Sequence, residues 1–89
     1  SVLTVRYQAE GEGAEARHAF VSRVVTGVSP EGLAVSPDGQ WVATTNLERS
    51  FLPYDDPRIT WFSSVTLARL DPANGVLTYV GTFNYDGIL

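Results

Sequence analysis

The sequence contains no cysteine, no methionine and no lysine, so its six basic residues are all arginine. The missing cysteine excludes disulfides, thiolate zinc sites and a cysteine nucleophile. A single histidine, His18, does not supply the ligand set that zinc needs. With a net charge of -4, the chain lacks the basic face of a nucleic-acid-binding protein. No apolar run approaches the ~18 residues of a membrane-spanning helix.

Hydrophobic residues make up 44% of the chain and charged residues 18%, a balance typical of a folded protein. Val and Thr are abundant, and 8 Gly and 5 Pro residues punctuate the sequence. β-branched residues favour strands, whereas Gly and Pro favour the turns between them. No window of ~11 residues or more carries the apolar stripe of a helix. The sequence therefore predicts an all-β fold.

Six strands are predicted, and they follow one another closely. The segment Pro37-Asp38-Gly39 and the segment from Asp71 to Gly75 are tight turns, in which each aspartate caps the backbone. The short apolar stretch 32–36 is typical of a strand buried on both faces. The predicted strands are 2–8, 19–26, 32–36, 41–46, 64–71 and 76–84.

The chain also resembles itself. Ser1 and Arg6 match Ser64 and Arg69 at an offset of 63 residues, whereas Glu31-Gly32 matches Asp86-Gly87 at an offset of 55. Strands that repeat while the connecting loops vary in length are typical of repeat proteins. The four predicted strands from 32 to 84 then form one antiparallel meander. Four-stranded meanders arranged radially are the blades of a β-propeller.

Residues 30–46 read P-E-G-L-A-V-S-P-D-G-Q-W-V-A-T-T-N. This segment resembles the blade motif of YVTN-type propellers, a group that includes the seven-bladed lactonase-like proteins. The resemblance implies a fragment of a seven-bladed parent, about one and a half blades long. Residues 1–29 would be outer strands of a preceding blade, 30–84 a complete blade with a long loop at 47–62, and 85–89 the start of a third blade. The resemblance is specific for the propeller architecture and is weak evidence for function.

In such a blade, the corner before the innermost strand and the loop 47–62 open on one rim, where propellers hold ligands. If the protein hydrolyses sugar lactones, as the resemblance also allows, four rim residues would polarise the lactone and activate water: Glu31, Asn46, Glu48 and Arg49. The residues of the rim expected to contact a ligand are Asp55, Asp56, Arg58, Trp61 and Asp86.

These residues also have simpler interpretations. Glu31 and Asp86 would hold a Ca²⁺ ion or supply a general base, or they form a solvated acidic corner. The long loop binds a polar, ring-bearing ligand, or it covers a neighbouring blade. The Asn46 amide is expected to tie its strand end to the following loop. Apart from Ca²⁺, no metal or cofactor is predicted.

The sequence contains no G-x-S-x-G motif and no phosphate-binding glycine loop. The first hypothesis is therefore a scaffold that binds a ligand or a protein and has no catalysis of its own. The alternative is part of a sugar-lactone hydrolase of the phosphogluconolactonase type. The expected partners are further blades of the same protein, or other chains that complete the ring. The resemblance favours a periplasmic or extracellular bacterial location.

Overall fold

The computed structural model describes residues 1–7 and 18–86, and the acidic segment 10–16 and the last three residues lie outside them. The described part contains six strands and no helix, so the predicted all-β class is confirmed. The strands are β1 (Val2–Tyr7), β2 (His18–Val24), β3 (Pro30–Val35), β4 (Trp41–Asn46), β5 (Phe62–Leu70) and β6 (Leu77–Asp86).

The strands form two antiparallel sheets. Four of them pair in chain order, β3-β4-β5-β6, which is the predicted meander, and β1 pairs with β2 in a separate sheet. The final strand runs to Asp86, two residues beyond the predicted end at Asn84. Phe62 and Ser63 likewise belong to β5, so the long loop ends at Trp61.

Both predicted turns are present. Asp38 Oδ1 accepts hydrogen bonds from the Ser36 hydroxyl and the Gln40 backbone N–H, and Gly39 takes a φ of +75°. In the second turn, Asp71 Oδ1 accepts from the Ala73 N–H at 2.9 Å, and Gly75 takes a φ of +78°. A side-chain oxygen and a glycine at positive φ are what tight turns require. The predicted caps are confirmed.

Side chains alternate between the two faces of the four-stranded sheet. We call one face the covered face: it carries Val42, Thr44 and Asn46 of β4, and all three are buried. Their partners on β5 are Ala68, Thr66 and Ser64, which are buried as well. The opposite face, which carries Ala43 and Thr45 of β4 and Val65 and Leu67 of β5, is the open face; these four side chains are half-exposed.

The two-stranded sheet packs on the outer strands of the covered face. The apolar core is small and lies at this contact, since it joins Val24 of β2 to Val42, Ala68 and Leu77. Two hydrogen bonds join the two sheets there. The Ser22 hydroxyl accepts from the Leu77 N–H at 3.0 Å, and the Thr4 hydroxyl donates to the Gly75 carbonyl at 2.7 Å. The pair β1–β2 thus reaches β6 and the turn before it.

The first strand of the meander, β3, departs from the prediction of burial on both faces. All six of its residues are exposed. Leu33 and Val35 lie on the covered face, opposite Thr44 and Val42, but β1–β2 contacts chiefly β6 and does not extend over them. An apolar sequence gives a strand its propensity, whereas burial needs a second layer over each face. In the described part of this chain, no such layer lies over β3.

The two outer strand pairs share one irregularity. A register shift falls between Thr4 and Val5 in the β1–β2 pair, and between Leu67 and Ala68 in the β5–β6 pair, 63 positions later. On the second strand the corresponding residues are Ser22 and Gly81, 59 positions apart. The first strands of the two pairs, β1 and β5, are therefore related by the predicted offset of 63 residues. The second strands, β2 and β6, are related by an offset of 59 residues rather than the predicted 55. β-bulges are specific features of a strand pair, so a bulge at the same position relates the two pairs structurally.

Candidate functional site

The rim residues lie at one edge of the four-stranded sheet. There β3 begins and β4 ends, with Pro30 opposite Asn46, and β5 begins where β6 ends, with Phe62 opposite Asp86. The loop 47–61 joins β4 to β5 at the same edge. Glu31 and Asp86 lie on the first and last strands, which are about 14 Å apart at ~4.8 Å per strand. The two carboxylates therefore do not form one cation site in this chain.

Glu48 holds the loop against the segment that precedes β3. Its carboxylate Oε2 accepts the Val28 N–H at 2.8 Å, and its own N–H donates to the Val28 carbonyl at 2.9 Å. The Leu47 N–H donates to the Ser29 carbonyl at 2.9 Å. Ser29 and Glu48 both take a positive φ, at 55° and 58°, which is uncommon for residues other than glycine. Glu48 thus has a structural role, and its carboxylate is engaged by the backbone.

Arg49 and Thr60 close the neck of the loop. The Arg49 N–H donates to the Thr60 hydroxyl at 2.9 Å, and the Thr60 N–H returns to the Arg49 carbonyl at 3.4 Å. Ser50, which is buried, donates its hydroxyl to the Leu47 carbonyl. The Arg49 side chain itself is exposed and forms no ion pair within residues 1–7 and 18–86. Of the four catalytic candidates, Glu31 and Arg49 are the ones with exposed side chains.

Asp56 and Arg58 form a two-pronged ion pair at the tip of the loop. Arg58 donates from Nε to Oδ1 at 3.0 Å and from Nη2 to Oδ2 at 2.8 Å, and its backbone N–H also reaches Oδ1. The Arg58 side-chain and backbone hydrogen bonds lower the pKa of Asp56 to about 2. Because each charge satisfies the other, these two predicted rim residues stiffen the tip.

We expect Arg58→Gln to move the pKa of Asp56 from about 2 back towards the ordinary aspartate range. In the wild type the pair contributes to stability above about pH 4, and this contribution is lost as the pH falls through about 2. Carboxyl chemical shifts followed by NMR between pH 1 and 6 measure the change. Arg49→Gln, which removes an unpaired arginine of the same loop, is the control. An unchanged Asp56 titration in Arg58→Gln would contradict the pairing.

An aromatic pair lies on the outside of the loop. The rings of Tyr54 and Trp61 stack with centroids 5.9 Å apart and planes inclined by 20°. Both side chains are exposed, as is Phe51, and Asp55 lines a shallow pocket with Leu52, Pro53 and Tyr54. Trp61, predicted to contact a ligand, is the last residue of the loop before β5. The sequence alone does not single out Tyr54 as its stacking partner, because the two residues lie seven positions apart along the chain.

Asn46 is the most enclosed of the predicted residues, with none of its surface exposed. Its Nδ2 donates to the hydroxyls of Ser64 and Thr66, and its Oδ1 accepts from the Thr44 hydroxyl, each at 3.0 Å. The prediction that it ties β4 to the following loop is therefore wrong. It joins β4 to β5, because its position in the alternation directs its side chain onto the covered face rather than outwards.

The hydroxyl network of the covered face continues towards the two-stranded sheet. The Gly27 N–H donates to the Thr66 hydroxyl at 3.0 Å, and Thr66 also contacts the Thr82 hydroxyl. A Cβ atom at Gly27 would lie 2.6 Å from Ser64 Oγ and 2.8 Å from Asn46 Nδ2. The segment between β2 and β3 is thus pressed against the network. The alternating polar residues of T-T-N and S-S-V-T were the available sequence signal for this network.

Arg69 is of a residue type suited to bidentate pairing with a carboxylate of a neighbouring strand. Its guanidinium instead lies over the Trp41 ring, with Cζ 4.7 Å from the ring centroid. The two residues are direct partners across β4 and β5 on the open face, which makes the stacking a consequence of register. A cation over an aromatic face is favourable without a carboxylate.

Within the described ranges, no three carboxylate or histidine side chains come together as a metal-binding group. The same residues include no helix of the length and apolarity needed to cross a membrane. Scans against family models, curated proteins and solved structures found no match to this chain.

Proposed function

We propose that this chain is a blade-forming segment of a β-propeller that acts as a binding scaffold, with its rim loop as the contact surface. One observation carries the proposal: the residues of β1–β2 that pack on the covered face have counterparts in β5–β6 that lie on the open face. The packed residues of the first pair are Val2, Thr4, Ser22 and Val24. The counterparts, at offsets of 63 and 59, are Val65, Leu67, Gly81 and Phe83.

The open face has the composition of a surface that packs against another sheet. Val65 and Leu67 are half-exposed, and Phe83 and Tyr85 are exposed beside them. Contiguous exposed apolar surface of this kind marks an interaction site in a soluble protein. If β5–β6 packs as β1–β2 does, the open face receives the covered face of a further four-stranded unit, and repetition of this contact gives a radial array.

The side chains of the rim favour a scaffold over the alternative, a sugar-lactone hydrolase. Asn46 is enclosed in the hydroxyl network, and Glu48 is bonded to the Val28 N–H, so both have structural tasks. The exposed groups that remain, Glu31 and Arg49, extend from different elements of the edge. The exposed rings of Tyr54 and Trp61 suit contact with a ligand or a protein, since aromatic side chains dominate such interfaces.

The open-face contact is tested with the 89-residue chain and the variant Phe83→Lys. We expect the wild-type chain to associate with rising concentration, and Phe83→Lys to lower the average mass measured by light scattering, because a charge on the open face opposes its burial. Phe51→Lys, the same change at an exposed loop residue, is the control and should leave the mass unchanged. A wild-type chain whose association is indifferent to Phe83→Lys would refute the proposal.

A further inference from the structure

The edge of β3 is open along its whole length. Among the described strands β3 pairs with β4 alone, and all six of its residues are exposed. Leu33 and Val35 keep 58% and 51% of their surface exposed. Unpaired N–H and C=O groups beside exposed apolar side chains are a template for another strand. The question is which groups point outwards and what they fit.

The hydrogen-bonding pattern shows which groups are free. The Ser36 N–H donates to the Trp41 carbonyl, so Ser36 faces β4. Residues of an antiparallel strand bond alternately to the two sides, which makes Ala34 and Gly32 face β4 as well. Leu33 and Val35 alternate with these residues, so they form non-hydrogen-bonded pairs with Thr44 and Val42 of β4. Their N–H and C=O groups therefore point away from the sheet.

The other edges of the two sheets carry features that discourage pairing. β6 contains the extra residue of its bulge, Val80, and ends on Asp86. β2 contains the extra residue of the other bulge, Val21, and carries Arg23, and β1 carries Arg6. Bulges and charges are the usual means of blunting an edge strand. The segment 32–36, by contrast, which comprises most of β3 and the residue after it, has neither a charge nor a proline. The one irregularity of β3 lies at its start.

We infer that the β3 edge binds the β3 edge of a second copy of this chain, antiparallel and about a twofold axis at Ala34. In that register Leu33 lies opposite Val35 of the other copy, and both residues have their backbone groups free. Leu33 and the opposite Val35 exchange two backbone hydrogen bonds, and the twofold symmetry produces this pair twice. The opposed Leu33 and Val35 side chains lie on the same face, where such cross-strand apolar pairs stabilise a sheet.

The distribution of charge selects the antiparallel arrangement. Glu31 is the only charged residue of β3. In the antiparallel register the two copies of Glu31 lie at opposite ends of the contact, about 20 Å apart at ~3.4 Å per residue. A parallel pair in register would place them side by side, where like charges are destabilising. The twofold contact joins the two four-stranded sheets into one eight-stranded sheet.

This pairing is independent of the proposed function, because it uses a strand edge, whereas the scaffold proposal uses the open face. In a closed ring the innermost strand faces the axis, so ring closure competes with the pairing. The two contacts can be separated experimentally in the Phe83→Lys background, in which association through the open face is removed. Association that remains in that background belongs to another surface.

Sedimentation equilibrium of Phe83→Lys is expected to show a concentration-dependent dimer of twice the 9.7 kDa chain mass. Adding Val35→Lys places a charge in the contact and should raise the dissociation constant by at least about tenfold. Adding Val80→Lys instead makes the same change at a residue with similar exposure, 47%, on β6, and should leave the dimer intact. Leu33→Pro removes an outward N–H without removing a bond to β4, and should also give a monomer.

Amide hydrogen exchange locates the contact directly. In the Phe83→Lys dimer the Leu33 and Val35 amides should be protected, and diluting the sample to the monomer should expose them. A chain that is monomeric at millimolar concentration, or a dimer in which both amides exchange as fast as in the monomer, would overturn the inference. Equal loss of the dimer in the Val35→Lys and Val80→Lys variants would overturn it too, since the contact would then not be specific to β3.

Discussion

Asn46→Ala is expected to lower the free energy of unfolding by about 3 kcal/mol. The side chain is fully buried and makes three hydrogen bonds within the covered face. Truncation leaves the Thr44 hydroxyl without its acceptor and the Ser64 hydroxyl without its donor. Buried polar groups that lose their partners cost more than the bonds themselves contribute. Because the apolar core is small, this loss would remove much of the chain's stability.

Urea denaturation followed by circular dichroism measures this effect, at one low protein concentration so that association does not contribute. Asn84→Ala is the matched control: it makes the same substitution on β6, at an exposed position, and should change the free energy of unfolding by less than about 0.5 kcal/mol. A loss below about 1 kcal/mol in Asn46→Ala would mean that the network carries little of the stability.

Gly27→Ala is expected to destabilise the fold by about 2 kcal/mol, although it adds a single methyl group. The new Cβ would lie 2.6 Å from Ser64 Oγ and 2.8 Å from Asn46 Nδ2, and both atoms are held by hydrogen bonds. Either the segment before β3 moves away from the sheet or the network is broken. Both changes also disturb the bond from the Gly27 N–H to the Thr66 hydroxyl.

Gly81→Ala provides the control for this prediction. Its Cβ would meet the Phe83 ring, 3.0 Å away, and that exposed ring is free to move, so the cost should be small. A double-mutant cycle tests the cause: in the Ser64→Ala background one of the two clashes is absent, and Gly27→Ala should cost at least about 0.5 kcal/mol less than in the wild type. Additive effects of the two substitutions would place the strain elsewhere.

Much of the meander could be predicted because turns and strands are encoded locally. Asp38 with Gly39, and Asp71 with Gly75, make the same contacts that their sequence patterns predicted. The residues between these turns alternate as strands require. Strand ends were less predictable: Phe62 and Asp86 both belong to strands, because pairing with each other extends the ladder past the local signals.

The candidate residues were predicted to lie together, and their contacts could not be predicted. The candidates from Glu31 to Asp86 do lie at one edge of the sheet, since an antiparallel meander returns every second connection to the same side. Their roles depended on contacts between distant parts of the chain. Glu48 is bonded to Val28, twenty residues earlier, and Asn46 to Ser64, eighteen residues later. The local sequence does not distinguish Glu48 from an exposed residue, and for Asn46 the alternating polar residues of T-T-N are the one available signal.

The residues of the sequence were enough to predict the strand order and the turns, because both depend on residues that are neighbours along the chain. Three features depend on the tertiary structure: Asn46 is buried, Arg69 stacks on Trp41 rather than pairing with a carboxylate, and β3 is exposed despite its apolar residues. Burial depends on what lies across a sheet or over its face, and the β1–β2 pair contacts chiefly β6. Apolar strand residues therefore form core where a second sheet covers them, and they form a contact surface where no sheet does.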